Sequence, residues 1–124
     1  MIDKLHPAPA FSDGRGDITN LIAQPLQHVA LITSRPGAVR GNHLHKTDSH
    51  FTHLVSGKAW YYQEVDGEVE SCEMKVGDLV FTPAGVPHAI AFEMDSVFLA
   101  FCTAQRLGGR YQEDTEPWEL VSQR

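Results

Sequence analysis

Four of the chain's seven histidines fall in one short run, PGAVRGNHLHKTDSHFTHLVSG, which ends at Gly57. They are His43, His45, His50 and His53. A fifth, His88, follows a turn rich in Pro and Gly in the stretch GDLVFTPAGVPH from Gly77. Imidazole serves two chemistries: it ligates divalent transition metals, and it moves protons near neutral pH. On a strand, residues two apart share a face, so His43 and His45 project together and Leu44 points the other way. A tight turn over Lys46–Ser49 would lay His50 on the next antiparallel strand, beside that pair. Imidazoles converging from adjacent strands are what an ion needs, at about 2.0–2.1 Å for zinc. His88 joins them only if its hairpin crosses the same cavity. His53 has the opposite parity to His50 and faces away. His6 and His28 have no partner in the sequence. All three of these read as surface or hydrogen-bonded structural residues. An HxH pair alone is better read as two satisfied histidines on a half-buried strand.

The elements that must position these side chains are strands. Val39–His45 and His50–Ser56 flank the turn, and Gly57 ends the second. Aromatic-rich Lys58–Glu64 and Glu68–Met74 are joined by Asp66-Gly67, a strong two-residue hairpin signal. Asp78–Thr82, the turn PAGVP, His88–Glu93 and the apolar Val97–Thr103 follow. Upstream, Ile18–Ile22 and Gln27–Thr33 read as short strands separated by Pro25, after a turn at Phe11–Asp17. No segment has a helical period. Many short strands punctuated by Gly and Pro predict an all-β sandwich or barrel. Residues 1–12 read as an extended arm. The polar tail 107–124 has Tyr111, Trp118, Leu120 and Val121 to pin it to the barrel or to a neighbouring subunit.

The chain has 124 residues, 42% of them hydrophobic and 21% charged, which suits one domain with its own core. A net charge of -6 with scattered Lys and Arg argues against nucleic acid or an acidic membrane surface as partner. Cys72 and Cys102 show no metal-finger or CxxC spacing and read as reduced strand residues. There is no apolar run of membrane-spanning length and no signal-like stretch at the start, so a cytoplasmic protein is expected.

The first histidine run resembles cupin motif one, G(X)5HXH(X)3-4E(X)6G. Gly37, His43, His45 and Gly57 match its spacing, and His50 stands where the family usually has Glu. The second stretch resembles motif two, G(X)5PXG(X)2H(X)3N. Gly77, Pro83, Gly85 and His88 match, and Phe92 replaces Asn. The resemblance spans Gly37 to Phe92 (motif one 37–57, motif two 77–92). It implies that residues 1–124 form a single cupin domain, a double-stranded β-helix jelly-roll barrel. It also implies that His43, His45, His50 and His88 hold a divalent ion, with an all-imidazole shell suited to Zn, Mn, Fe, Ni or Cu.

A narrower resemblance runs to RmlC-like nucleotide-sugar enzymes. RGNHLHK (Arg40–Lys46) is similar to a segment of the 3,4-ketoisomerases, and FSDGRGDI followed by VRGNH resembles the 3,5-epimerases. These enzymes act without a metal and use pocket histidines as acid and base. The His–Asp pairing usual in the epimerases is not identifiable in the sequence. Cupins also commonly pair, which implies a homodimer with the arm, Phe51 and His53 near the contact.

Four functions follow as expectations. One is a metal-dependent isomerase or epimerase acting on a small oxygenated substrate such as a keto-sugar or nucleotide-sugar. The others are a metal-dependent oxygenase, a metal-free ketoisomerase, and a binding module without turnover. No general acid or base is assigned. Arg40 or Arg15 is the candidate to hold phosphate, although strict parity turns Arg40 out of the cavity unless a bulge intervenes. Tyr61, Phe81 and Phe92 are expected as cavity walls for the substrate, with Trp60 and Met94 beside them.

Overall fold

The protein is described by a computed structural model covering residues 1–122. Gln123 and Arg124 of the predicted tail lie outside the described residues. The elements in chain order are β1 (Asp3–Leu5), β2 (Phe11–Asp13), β3 (Gly16–Ile18), β4 (His28–Ser34), β5 (Val39–His45) and β6 (His50–Ser56). They continue with β7 (Ala59–Val65), β8 (Glu68–Met74), β9 (Leu79–Thr82), β10 (His88–Phe92), β11 (Ser96–Cys102), α1 (Arg110–Asp114) and β12 (Thr115–Pro117).

Two five-stranded antiparallel sheets, ordered β1-β9-β6-β11-β4 and β12-β5-β10-β7-β8, enclose the core, and β2 and β3 form a separate hairpin. One apolar cluster joins the sheets. Leu54, Val80 and Phe98 come from the first, and Ala59, Tyr61, Met74, Ile90 and Phe92 from the second. The alternation along β11 shows the cause: Ser96, Phe98, Ala100 and Cys102 are buried, while Val97, Leu99 and Phe101 face outwards. Register places function and core at opposite ends. Leu54 pairs with Phe98 and Ala59 with Phe92, whereas His50 pairs with Cys102 and His88 with Gln63. The plug therefore fills one end of the barrel and the histidines ring the other.

The Asp66-Gly67 hairpin is as expected. Both residues have positive φ, 54° and 77°, between the paired Val65 and Glu68. That is the geometry of a type I′ turn, whose twist matches the flanking strands.

The chain ends depart from expectation. The arm contains β1, which pairs with β9. The turn at Phe11–Asp17 opens into the β2–β3 hairpin. Ile18–Ile22 is no strand, because β3 finds a partner only as far as Ile18. The tail holds α1 and β12, and β12 pairs with β5 along Thr115↔His45 and Pro117↔His43. A five-residue helix and a three-residue strand are too short to leave a period in the sequence.

Candidate active site

The strand β5 is the backbone of the site. Its register against β10 slips between His88 and Ala89: His88 faces His43, and Ala89 faces Gly41. Asn42 is the extra residue of this bulge and sits at φ 54°, beside Gly41 at φ 84°. The slip keeps His43 and His45 facing inwards and also turns Arg40 inwards, opposite buried Ile90. A Cβ on Gly41 would lie 2.9 Å from the carbonyl oxygen of His88, at a φ that side chains avoid. Gly41→Ala should therefore cost roughly 1–3 kcal/mol, seen as a lower urea midpoint, and displace His88 from His43.

Four imidazoles converge at this end of the barrel. Ring centroids are 4.8 Å apart for His43 and His45, 4.9 Å for His43 and His88, 5.1 Å for His45 and His50, and 4.8 Å for His50 and His88. They line a cavity of about 430 Å³ whose inner wall is apolar, with Ile32, Ile90, Phe98 and Ala100. Burial makes the imidazoles neutral. It pushes His43 down to about 4, helped by His45 and Arg106, and His88 down to about 3 despite its bond to Val86. Burial, then His88, drives His50 well below its ordinary value. For His45, burial and Arg106 lower the pKa against the pull of Asp48 and Asp114.

The partners of His45 and His88 fix their tautomers. His45 Nδ1 lies 3.3 Å from Asp114 Oδ2, and Arg106 Nη2 lies 3.4 Å from His45 Nε2. Nδ1 therefore donates to the carboxylate, and the Nε2 lone pair accepts from the Arg106 guanidinium. His88 Nδ1 donates to the Val86 carbonyl at 3.1 Å, which leaves its Nε2 as the acceptor nitrogen. Asp114 is held by Thr47 Oγ1 at 2.6 Å and by the amides of Thr47 and Asp48 at 2.8 and 3.1 Å. Burial acts to raise its pKa, but these bonds outweigh it and keep the carboxylate below its ordinary value. Arg106 is anchored by Asp48 through Nε at 3.1 Å and Nη2 at 2.9 Å. Tyr111 stands edge-on over both His43 and His45, with centroids 5.8 Å away, and the Arg106 guanidinium lies over its ring.

Other expected residues divide between the cavity and elsewhere. Arg40 and Tyr61 line the cavity. Arg40 donates to Ser34 Oγ at 2.8 Å and to the Thr33 carbonyl at 2.7 Å, and has no carboxylate partner among the described residues. Tyr61 spends its hydroxyl on Thr82 and Gln63. Phe81 is no cavity wall: its neighbour Thr82 takes the inward position on β9, and Phe81 packs outside against Phe51. Phe92 is buried but stacks on Phe98 in the core rather than lining the cavity. Trp60 bonds Glu93 outside the barrel, Met94 is exposed, and Arg15 pairs with Asp13 on the β2–β3 hairpin.

His53 faces away from the four, as its parity requires. His28, expected as a surface or hydrogen-bonded structural residue, accepts from the Arg106 amide and also lines the cavity. The sequence gives no sign of Arg106, Asp114 or the role of Asp48, and it marks Tyr111 only as a residue that pins the tail. Asp48 anchors Arg106, and the pairing of β12 with β5 brings Tyr111 and Asp114 to the histidines.

The donor set fits a divalent ion. The ligand atoms of His43, His45 and His88 lie within 4.8 Å of one another, as do those of His45, Asp48 and His50. His50 Nδ1 is buried and has no hydrogen-bond partner among the described residues. An ion on His45 would have to displace the Arg106 guanidinium from Nε2.

Residues 30–103 match the cupin domain family. The chain is a cupin. No curated protein sequence matches it. Among solved structures, this cupin resembles a mutant of the sugar 3,4-ketoisomerase QdtA of Thermoanaerobacterium thermosaccharolyticum, solved in complex with TDP-4-keto-6-deoxyglucose. The identity is 15% over 93% of this chain and 86% of that one, with a TM-score of 0.76. It also resembles a 3,4-ketoisomerase from Helicobacter canadensis, at 17% identity over 90% and 92% of the two chains and a TM-score of 0.76. A third neighbour is dTDP-4-dehydrorhamnose 3,5-epimerase from Elizabethkingia anophelis, at 18% identity, 90% and 72% coverage and a TM-score of 0.75. At these identities the likeness establishes the RmlC-like jelly-roll fold of this cupin. Among the described residues, no helix of the cupin is long and apolar enough to cross a membrane.

Proposed function

We propose that this cupin is a sugar isomerase or epimerase that moves a proton on the carbon next to the carbonyl of a nucleotide-linked keto-sugar. The observation that carries this reading is the His45–Asp114 pair, the His–Asp arrangement not identifiable in the sequence, at 3.3 Å in the cavity wall. His45 Nε2 takes the proton once Arg106 Nη2, which donates to it, turns to the substrate, and the Asp114 carboxylate stabilises the imidazolium that results. Arg106, fixed by Asp48, meets the negative charge that develops on the carbonyl oxygen. The Tyr111 phenol, raised in pKa chiefly by burial, holds its proton at neutral pH and supplies it on the return step, after which His45 gives up its proton to solvent and the tyrosinate regains one. Arg40 offers its unused N–H groups to phosphate. The solved neighbours support the substrate class, since one of them is bound to TDP-4-keto-6-deoxyglucose.

The test is to incubate the protein with TDP-4-keto-6-deoxyglucose in D₂O and follow it by proton NMR. Deuterium should enter at carbon 3, with a new isomer or epimer accumulating. No exchange with this or other nucleotide-linked 4-keto sugars would overturn the reading.

A second reading is favoured by the convergence of four neutral imidazoles and by the orphaned Nδ1 of His50. In it His43, His45, His50 and His88 hold a divalent transition ion, which when bound polarises the substrate carbonyl. His45 is then committed to the ion and cannot take the proton. Elemental analysis of protein purified without a chelating tag separates the two. Less than about 0.1 equivalent of any transition metal after reconstitution sinks the second reading, and near-stoichiometric metal lost on His50→Ala sinks the first.

The homodimer belongs to the same reading. Val29 and Leu31 on the outer face of β4 are 55% and 68% exposed, and Leu5, Phe11 and Ile18 of the N-terminal segment are also exposed. Sedimentation equilibrium should give twice the 13.8 kDa chain mass. Cys72 and Cys102 are free thiols, which suits the reducing cytoplasm.

A further inference from the structure

Among the described residues, Asn42 is one of two other than glycine with positive φ, and the second belongs to the Asp66-Gly67 turn. Its left-handed backbone completes the bulge beside His43, and its polar groups leave the strand altogether. The side-chain Oδ1 accepts from the amides of Leu120 and Val121 at 2.9 and 3.1 Å. The side-chain Nδ2 donates to the Val121 carbonyl at 2.8 Å. The backbone carbonyl accepts from the Trp118 amide at 2.7 Å. One residue thus holds the far end of the segment that begins at Arg106. Between these points the segment carries Tyr111 into the cavity wall and Asp114 to the Nδ1 side of His45. The Asp114 backbone is tied a second time, where its carbonyl accepts from the Lys46 amide at 2.7 Å. At its start lie exposed Leu107, Gly108 and Gly109, with Gly108 at φ 64°. These residues form no strand or helix.

We infer that Asn42 is a positioning residue: it latches the 106–121 segment shut, and so keeps Tyr111 over His43 and His45 and Asp114 against His45. The segment starts at a glycine hinge and is fastened at Asp114, along the β12–β5 pairing, at the Trp118 indole on Glu64 and, last, at Asn42. Releasing the last fastening lets the segment fray from its far end towards that hinge and opens the histidines to solvent. The bulge and the latch are one residue because both need the left-handed backbone: the bulge admits it, and Asn tolerates it while its amide supplies both a donor and an acceptor. This inference rests on the cavity being the reaction site. It does not depend on which sugar is turned over.

The test therefore uses no substrate. Asn42→Gly keeps the backbone conformation and removes only the side chain. Amide exchange at Lys46, Thr47 and Asp48, which the Asp114 residue protects, should accelerate about tenfold or more. Carbethoxylation of His43 and His45 by diethyl pyrocarbonate should accelerate by a similar factor, roughly tenfold, while the urea midpoint of the barrel changes little. Asn42→Asp keeps both accepted bonds but sets an acceptor oxygen against the Val121 carbonyl, and it covers the case in which glycine loosens the bulge. Its exchange and modification rates should fall between those of wild type and the Gly variant. Faster exchange confined to residues 118–121, with modification of His43 and His45 unchanged, would overturn the inference by showing that Asn42 merely pins the tail. Equal acceleration in the Gly and Asp variants would overturn it too.

Discussion

Asp114→Asn should lower kcat on a nucleotide-linked keto-sugar by roughly 10²–10⁴, the span a positioned acid–base group supplies, with little change in KM. Thr47 Oγ1 and the Thr47 amide donate to Oδ1, so the oxygen of the new amide stays with them, while the amide nitrogen takes the place of Oδ2 and deprives the Asp48 amide of its acceptor. Its NH₂ then faces His45 Nδ1, which must become the acceptor, and the ring proton moves to Nε2. A donor replaces the base at the atom that must take the proton. The loss therefore falls on the chemical step and persists as pH is raised, because the tautomer rather than the protonation state is wrong. Steady-state kinetics at several pH values checks this. A variant that raises KM alone, with kcat kept, would reduce Asp114 to a fastening for the tail.

Acid should unfold the metal-free protein well above the pH at which carboxylates titrate. In the unfolded chain a histidine binds its proton near 6.5; in the folded protein burial holds His43 to about 4 and His88 to about 3. Below 6.5 the unfolded state thus carries more protons, and stability falls with falling pH. The loss starts near pH 6.5, continues to about 4 for His43 and about 3 for His88, and is absent above 6.5. For His88 alone the displacement corresponds to about 4–5 kcal/mol, a large part of the stability of a small domain. Urea midpoints between about pH 7.5 and 4.5 should drop steeply, and His88→Gln should flatten the curve. A midpoint constant over that range would mean the rings are protonated in the folded state. A bound ion would compete with the protons and move the whole drop to lower pH.

The histidines are legible before the fold because strand parity and motif spacing are local properties. His43 and His45 need only a strand between them, and His50 only a turn. Arg40 shows the limit of that reasoning. Parity turns it outwards, and one residue of bulge, visible only in the register against β10, turns it back. Phe81 fails for the reverse reason: an aromatic residue on a short strand suggests a wall, but Thr82 occupies the inward position. Phe92 suggests a wall in the same way, and the core claims it for packing against Phe98. Arg106, Tyr111 and Asp114 are out of reach because no periodicity marks their segment. Their partners Asp48, His43 and Thr47 lie about half the chain away in sequence, and only the closed sheet brings them together.

The pairing of β12 with β5 has one more consequence. In the sheet order β12-β5-β10-β7-β8, the strand that carries His43 and His45 is interior only because three residues of the tail lie beside it. With β12 lifted away, β5 becomes an edge, and its free N–H and C=O groups are a template for any extended chain that meets them. Variants that loosen the tail should then be prone to sheet-to-sheet association, appearing as turbidity on storage alongside the fall in activity that displacing Tyr111 and Asp114 brings. The same three-residue strand that holds the tail against the histidine strand thus covers an edge open to pairing.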